Sequence, residues 1–273
     1  MGGERNHFTL FNSASNPKGR VDGRDLLAEL TAKGYTVAAT RADMLAASND
    51  KKFIGLYSSK SHLEYELDRI AQPPKGEGAT QPSLAEMTTK AIDILAQNKN
   101  GYFLMVEGGR IDHALHGTNA KRALVDTIAF DDAVQAALNK VKLSDPTLAN
   151  TLIVVTADHD HTMTLNGYGK RGNPILDINR SYKDGQASRD AQGNTYTTLV
   201  FGNGPNRPNT RTNLDSATVL SDNYQQETGV RLASETHGGG DVKLFATGAG
   251  SKVFKGTLDN TKVFDQLKEA FGY

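Results

Sequence analysis

Two carboxylates and two imidazoles fall within eleven residues of this chain, Val106-Glu107-Gly108-Gly109-Arg110-Ile111-Asp112-His113-Ala114-Leu115-His116. They follow an apolar run whose composition predicts a strand over 102–106. A second cluster, Asp158-His159-Asp160-His161, closes the apolar run 151–157, and a further histidine, His237, stands before three glycines. Oxygen and nitrogen donors at the ends of two strands, with no thiol among them, are the donor set of a multi-metal hydrolytic site.

Spacing adds geometry to that reading. Asp112 and His116 are four apart, so on a helix they share one face and reach one cation. Glu107, offset from them by a Gly-Gly turn, offers oxygen to a harder neighbouring ion. In an open α/β sheet the carboxyl ends of the strands form the ligand crevice, so Asp158 and His159 are expected to converge there with the 107–116 cluster. The glycines after His237 allow the close backbone approach that a ligand loop beside a metal needs. Taken singly, each motif has a plainer explanation. An Asp-x-x-x-His pair is commonly a surface ion pair, Asp158-His159 a capped turn, and His237 an ordinary loop histidine. All three would then have to meet at sheet exits by chance, and the joint metal reading is preferred.

The elements that must hold these residues alternate between helix and strand. Residues 25–30 have helical spacing with Gly34 as the stop, and 35–39 read as a strand. A Pro/Gly-rich linker over 72–78 precedes a helix with Pro82 near its first turn, running to about residue 97. Further helices are expected at about 119–141 and 263–271, and further strands at 151–156, 196–201 and 242–246, with Asp145-Pro146 breaking the long helix. Short buried strands between helices imply an α/β fold, a three-layer αβα sandwich with a mostly parallel sheet. Residues from about 166 to 233 turn to Gly, Asn, Arg, Thr and Pro and are expected to form a loop-rich insertion within one domain over 1–273.

Composition narrows the partners. The formal charge is zero, from 31 basic and 31 acidic residues, which points to neither nucleic acid nor an anionic membrane surface. The absence of cysteine excludes disulfides, zinc-thiolate sites and cysteine nucleophiles. No run approaches the roughly 20 apolar residues of a transmembrane helix. The first residues carry no signal-peptide apolar region, so either the protein is cytosolic or its true N-terminus lies elsewhere.

The segments 107–116, 156–161 and 235–239 resemble, in order, three metal-binding motifs of the alkaline phosphatase family. The resemblance begins at about Gly2, similar to the end of a family glycine turn, and runs to near the C-terminus. It implies phosphomonoester hydrolysis through a covalent phosphoserine, with two zinc ions and one magnesium. Carried over, Glu107 matches the magnesium carboxylate, Asp112, His116 and His237 the ligands of one zinc, and Asp158 and His159 ligands of the second. His113 matches a contact to the phosphate or its waters. His161 matches a histidine that stands behind the ligands and orients one of them. The resemblance further implies a periplasmic or secreted protein, often a homodimer.

The chain also departs from the family pattern. The N-terminal portion that carries the serine nucleophile, a shared aspartate, further magnesium ligands and the phosphate-clamping arginine has no counterpart here, so the chain is expected to be the C-terminal part of a longer phosphatase. Asp215-Ser216-Ala217 spells the nucleophile triplet, but it follows the metal clusters and reads as a helix cap. Ser58 and Ser59 have no motif around them. The competing expectation is a catalytically inactive metal-binding fragment, or one half of a split phosphatase whose N-terminal segment is separately encoded.

Overall fold

The computed structural model describes residues 1–59 and 61–272. The chain divides into two compact units, one of residues 1–110 with 126–144, the other of residues 111–125 with 145–273. The long helix α6 (Ala120–Val141) therefore contributes its first turns to the second unit and the remainder to the first.

In the first unit, α1 (Leu26–Ala32) starts where the Asp25 carboxylate accepts from the Leu27 and Ala28 amides. Strand β1 (Thr36–Ala38) pairs in parallel with β2 (Phe53–Gly55), joined through α2 (Arg41–Ala46). Ala38, Met44, Tyr57 and Met87 form the buried core of this unit, flanked by Phe53, Leu63 and Leu84. The short α3 (Glu66–Arg69) and then α4 (Leu84–Leu95) follow. The start of α4 is a reciprocal cap: Ser83 accepts from the Glu86 amide while the Glu86 carboxylate accepts from the Ser83 amide. Pro82 lies just ahead of the cap, close to its expected place.

The second unit opens within α5 (Arg110–His116), at Ile111. Asn119 then caps α6 by accepting from the Arg122 amide at 3.0 Å. Strand β3 (Leu152–Val155) pairs antiparallel with β7 (Phe245–Gly248). Strand β4 (Met163–Leu165) pairs antiparallel with β5 (Leu199–Gly204), which in turn pairs in parallel with β6 (Thr228–Arg231). The helices α7 (Ser216–Val219) and α8 (Lys262–Phe271) complete the order. Ala120, Leu199 and Phe201 are buried together, with Leu115, Leu124, Met163 and Leu176 packed against them. Leu115 precedes His116 on α5, so this core anchors the helix that carries the first cluster.

The α/β class holds, and the pairing is mixed: β1–β2 and β5–β6 are parallel, β3–β7 and β4–β5 antiparallel. The strand expected at 102–106 is not formed among the described residues. Its alternation is real, with Phe103 and Met105 at 64% and 78% exposure, yet a strand requires a partner backbone as well as a pattern. The region 166–233 is less peripheral than its composition suggested, because β5 is the central strand of its sheet and buries Leu199 and Phe201. The strand expected at 196–201 is present but runs over Leu199–Gly204, because Gly202, Asn203 and Gly204, which interrupt the apolar alternation, continue its pairing. Arg211 staples the neighbouring loops, donating to the Glu227 carboxylate, Asp190 and the Thr195 carbonyl. Among the described residues no helix is long and apolar enough to cross a membrane.

Candidate metal centre

Asp112 and His116 stand one turn apart on α5, and their facing atoms, Oδ1 and Nε2, are 3.4 Å apart. The C-terminal end of α5 is tied down by main-chain bonds: the Glu235 amide donates to the His116 carbonyl at 3.0 Å and the Gln226 amide to the Thr118 carbonyl at 2.8 Å. Thr118 lies at φ 51, a left-handed turn that ends the helix. An isolated antiparallel bridge joins His161 to His237 and brings the two downstream motifs together.

The result is a cluster of donors from three separated segments. Asp112, His116, His161 and His237 each offer one ligand atom, all within 4.8 Å of one another. His237 Nε2 lies 3.1 Å from His116 Nε2 and 3.3 Å from Asp112 Oδ1. His161 Nε2 lies 2.9 Å from the same Asp112 oxygen. Backbone and side-chain oxygens decide which ring nitrogens face inward. His116 Nδ1 is 2.6 Å from the Glu235 carbonyl, His159 Nδ1 is 3.1 Å from the Asp160 carbonyl, and His161 Nδ1 is 2.6 Å from Glu235 Oε2. Carbonyls and carboxylates only accept, so each Nδ1 carries its hydrogen and donates.

These residues fit a divalent cation. A tetrahedral zinc site with nitrogen and oxygen ligands at about 2.0–2.1 Å sets neighbouring donors about 3.3 Å apart. The three separations among Asp112, His116 and His237, from 3.1 to 3.4 Å, match that edge. Two Nε2 atoms and a carboxylate oxygen crowded this closely need either a hydrogen on His237 Nε2 or a cation between them. With nitrogen and oxygen donors and no sulfur, the set suits zinc or another first-row divalent cation.

Asp158 and His159 sit at the margin of this cluster. His159 Nε2 is 3.4 Å from Asp158 Oδ2 and 3.9 Å from Asp112 Oδ1, and its ring stacks on that of His237 with centroids 3.6 Å apart. The Asp158 side chain is 89% exposed. His113 follows Asp112 on α5 and lies outside the four-residue group. Glu107 belongs to the other compact unit.

The serine of the Asp-Ser-Ala triplet has a local task. Asp215 caps α7 by accepting from the Thr218 amide at 2.7 Å, and the Ser216 hydroxyl donates to the buried Asp177 carboxylate at 2.7 Å. Ser59 bonds Glu77, and the Ser58 hydroxyl lies 3.3 Å from that of Ser61.

Sequence reasoning missed Glu235 as an individual residue. It lies within the third motif, but its near-complete burial and its bonds to His161 and Thr162 became visible only in three dimensions. Two of the three glycines after His237 also leave room for a carboxylate. A Cβ on Gly238 would lie 2.4 Å from Asp160 Oδ1, and one on Gly240 would lie 2.4 Å from Asp160 Oδ2. The room they leave is occupied by the Asp160 carboxylate, which accepts from the Gly240 amide at 3.0 Å. A Gly240→Ala variant is therefore expected to push Asp160 off this exposed bond and cost about 0.5–1.5 kcal/mol, the net worth of an ordinary hydrogen bond. Chemical denaturation measures the loss. Adding Asp160→Ala to that variant should bring no comparable further loss, and fully additive losses would show that the glycine does not serve Asp160.

Fold and donor set together describe an α/β chain with an Asp/His cluster that could hold a metal ion. The chain matches the alkaline phosphatase family along residues 1–273, and it belongs to that family. It is 35% identical to the membrane-bound alkaline phosphatase of Bombyx mori, over 96% of this chain and 47% of the relative. With the tissue-nonspecific alkaline phosphatase isozyme of Gallus gallus it shares 37% identity, over 84% of this chain and 42% of that protein. The chain thus spans about half the length of the curated relatives it matches. Among solved structures, the Thermus thermophilus alkaline phosphatase is 34% identical over 62% of this chain and 32% of its own, with a TM-score of 0.51. The cold-active enzyme from Shewanella sp. shares the fold along the whole of this chain and 65% of its own, with a TM-score of 0.62 at 20% identity.

Proposed function

We propose that this chain carries the metal-binding part of a phosphomonoester hydrolase, an alkaline phosphatase working with two zinc ions and one magnesium. The observation that carries the reading is the meeting of Asp112 Oδ1, His116 Nε2 and His237 Nε2 within 3.4 Å of one another, in a chain of this family. Asp112, His116 and His237 would hold one zinc, Asp158 and His159 would contribute to the second, and Glu107 would hold magnesium. His113 would contact the phosphate or its waters. Bound divalent cations supply positive charge to the phosphoryl oxygens and to the attacking and leaving oxygens.

The chain's own residues bind and orient. The carbonyls of Glu235 and Asp160 hold His116 and His159 by Nδ1, which leaves Nε2 of each ring as the free donor. Asp158, exposed beside His159, offers oxygen where a phosphate and its counter-ions have access. The attacking serine of this reading is not Ser216, whose hydroxyl is engaged with Asp177; we assign it to a segment outside residues 1–273. Those residues would then be the C-terminal part of one phosphatase domain. Export, and assembly as a homodimer or with a separate N-terminal segment, belong to the same proposal.

The test has two parts. The zinc- and magnesium-loaded chain should bind inorganic phosphate by calorimetry, and an Asp112→Ala/His116→Ala variant should not. Ser216→Ala should leave any p-nitrophenyl phosphate turnover by the chain unchanged. Metal-independent phosphate binding would sink the reading, and turnover abolished by Ser216→Ala would restore that serine as nucleophile.

A further inference from the structure

Glu235 places a carboxylate entirely out of solvent, directly behind the donor cluster. Such a group is costly to bury unless it is fully hydrogen-bonded, and it is. Oε1 accepts from the Thr162 amide and from the Thr162 hydroxyl, both at 2.7 Å, and Oε2 accepts from His161 Nδ1 at 2.6 Å. The main chain of the same residue grips the other imidazole: its carbonyl accepts from His116 Nδ1 at 2.6 Å and its amide donates to the His116 carbonyl. One residue therefore fixes the hydrogen on Nδ1 of two rings and turns both Nε2 atoms toward Asp112 Oδ1, at 3.4 and 2.9 Å.

We propose that Glu235 is the positioning residue of this site. It holds His161, hydrogen-bonded through Nε2 to Asp112 Oδ1 at 2.9 Å, as a strut against that carboxylate and locks His116 in the ligating tautomer, so that the donors are arranged before a cation arrives. The inference rests on the metal reading above and adds to it the residue that organises the site. A carboxylate is required at this position because both of its oxygens face donors. An amide in its place would satisfy Thr162 with its oxygen and turn its NH2 toward His161 Nδ1, which would have to surrender its hydrogen to accept.

The experiment is zinc binding by the purified chain, measured by competition with a chromophoric chelator, together with ¹⁵N NMR of the histidine rings. Glu235→Gln is expected to weaken zinc binding about 10- to 100-fold, the usual effect of removing a partner that orients a ligand. In the metal-free variant, the Nδ1–H signature of His161 should disappear. That of His116, held by a backbone carbonyl, should persist. His161→Asn keeps a donor for Glu235 but has no atom to meet Asp112. It should weaken zinc binding to a similar degree, and the double variant should be little worse than either single one, because all three changes break one connection. If Glu235→Gln does not fold, His161→Asn carries the test alone. Wild-type zinc affinity in a folded Glu235→Gln or in His161→Asn, or additive losses in the double variant, overturns the proposal. Should Asp112→Ala/His116→Ala bind zinc as wild type does, the metal reading itself fails. If that variant loses zinc while Glu235→Gln keeps it, only the role of Glu235 falls.

Discussion

Zinc at a hundredfold excess over its dissociation constant is expected to stabilise the folded chain by about 2.7 kcal/mol through mass action alone. For a chain of this size that corresponds to a rise in melting temperature of about 5–10 °C. The reason lies in where the donors come from. Asp112 and His116 are on one helix, whereas His237 is joined to them only through the folded chain, so the unfolded polypeptide offers no equivalent three-donor site. A cation that binds the folded state alone must raise its stability. Excess chelator should return the melting curve to its starting point. The Asp112→Ala/His116→Ala variant removes two of the three closest donors and should abolish most of the shift. An equal shift in that variant would mean that zinc stabilises the chain from elsewhere, and no shift in the wild type would mean that the cluster does not hold it.

Phe201→Ala is expected to cost about 3–5 kcal/mol, the range for removing a fully buried aromatic ring. Phe201 is 1% exposed on the central strand of its sheet, against Ala120 and Leu199, with Leu115, Leu124, Met163 and Leu176 around it. A loss of that size is a large share of the roughly 5–15 kcal/mol that a typical fold has in total. The denaturant midpoint should fall with the slope little changed. Zinc affinity should fall as well, because Leu115 packs on this cluster and the next residue along α5 is the ligand candidate His116. A loss below about 1 kcal/mol, far under the usual range for such a truncation, would show that the ring does not anchor α5.

The order of side chains alone determined several things about this protein. Pro82 near a first turn placed α4, and a long helical pattern over about 119–141 placed α6. These are local matters, settled within a few turns of backbone. The Asp-x-x-x-His spacing likewise fixed Asp112 and His116 on one face of α5, because a helix makes that relation automatically.

The remainder depended on contacts distant in sequence. The segment 102–106 has the alternation of a strand, but pairing needs a neighbouring backbone, and the pattern says nothing of whether one is there. Strand β5 sits at the centre of a sheet although glycine and asparagine break its pattern, because burial there is decided by β4 and β6 on either side. His237 is distant in sequence from both other motifs, and only the bridge to His161 brings it beside them. The role of Glu235 was hidden most completely. A carboxylate in a motif reads as a ligand or a surface charge, and which of these it is depends on solvent. Tertiary packing removed the solvent, and hydrogen bonds to His161 and Thr162 then became the only way to keep that charge inside.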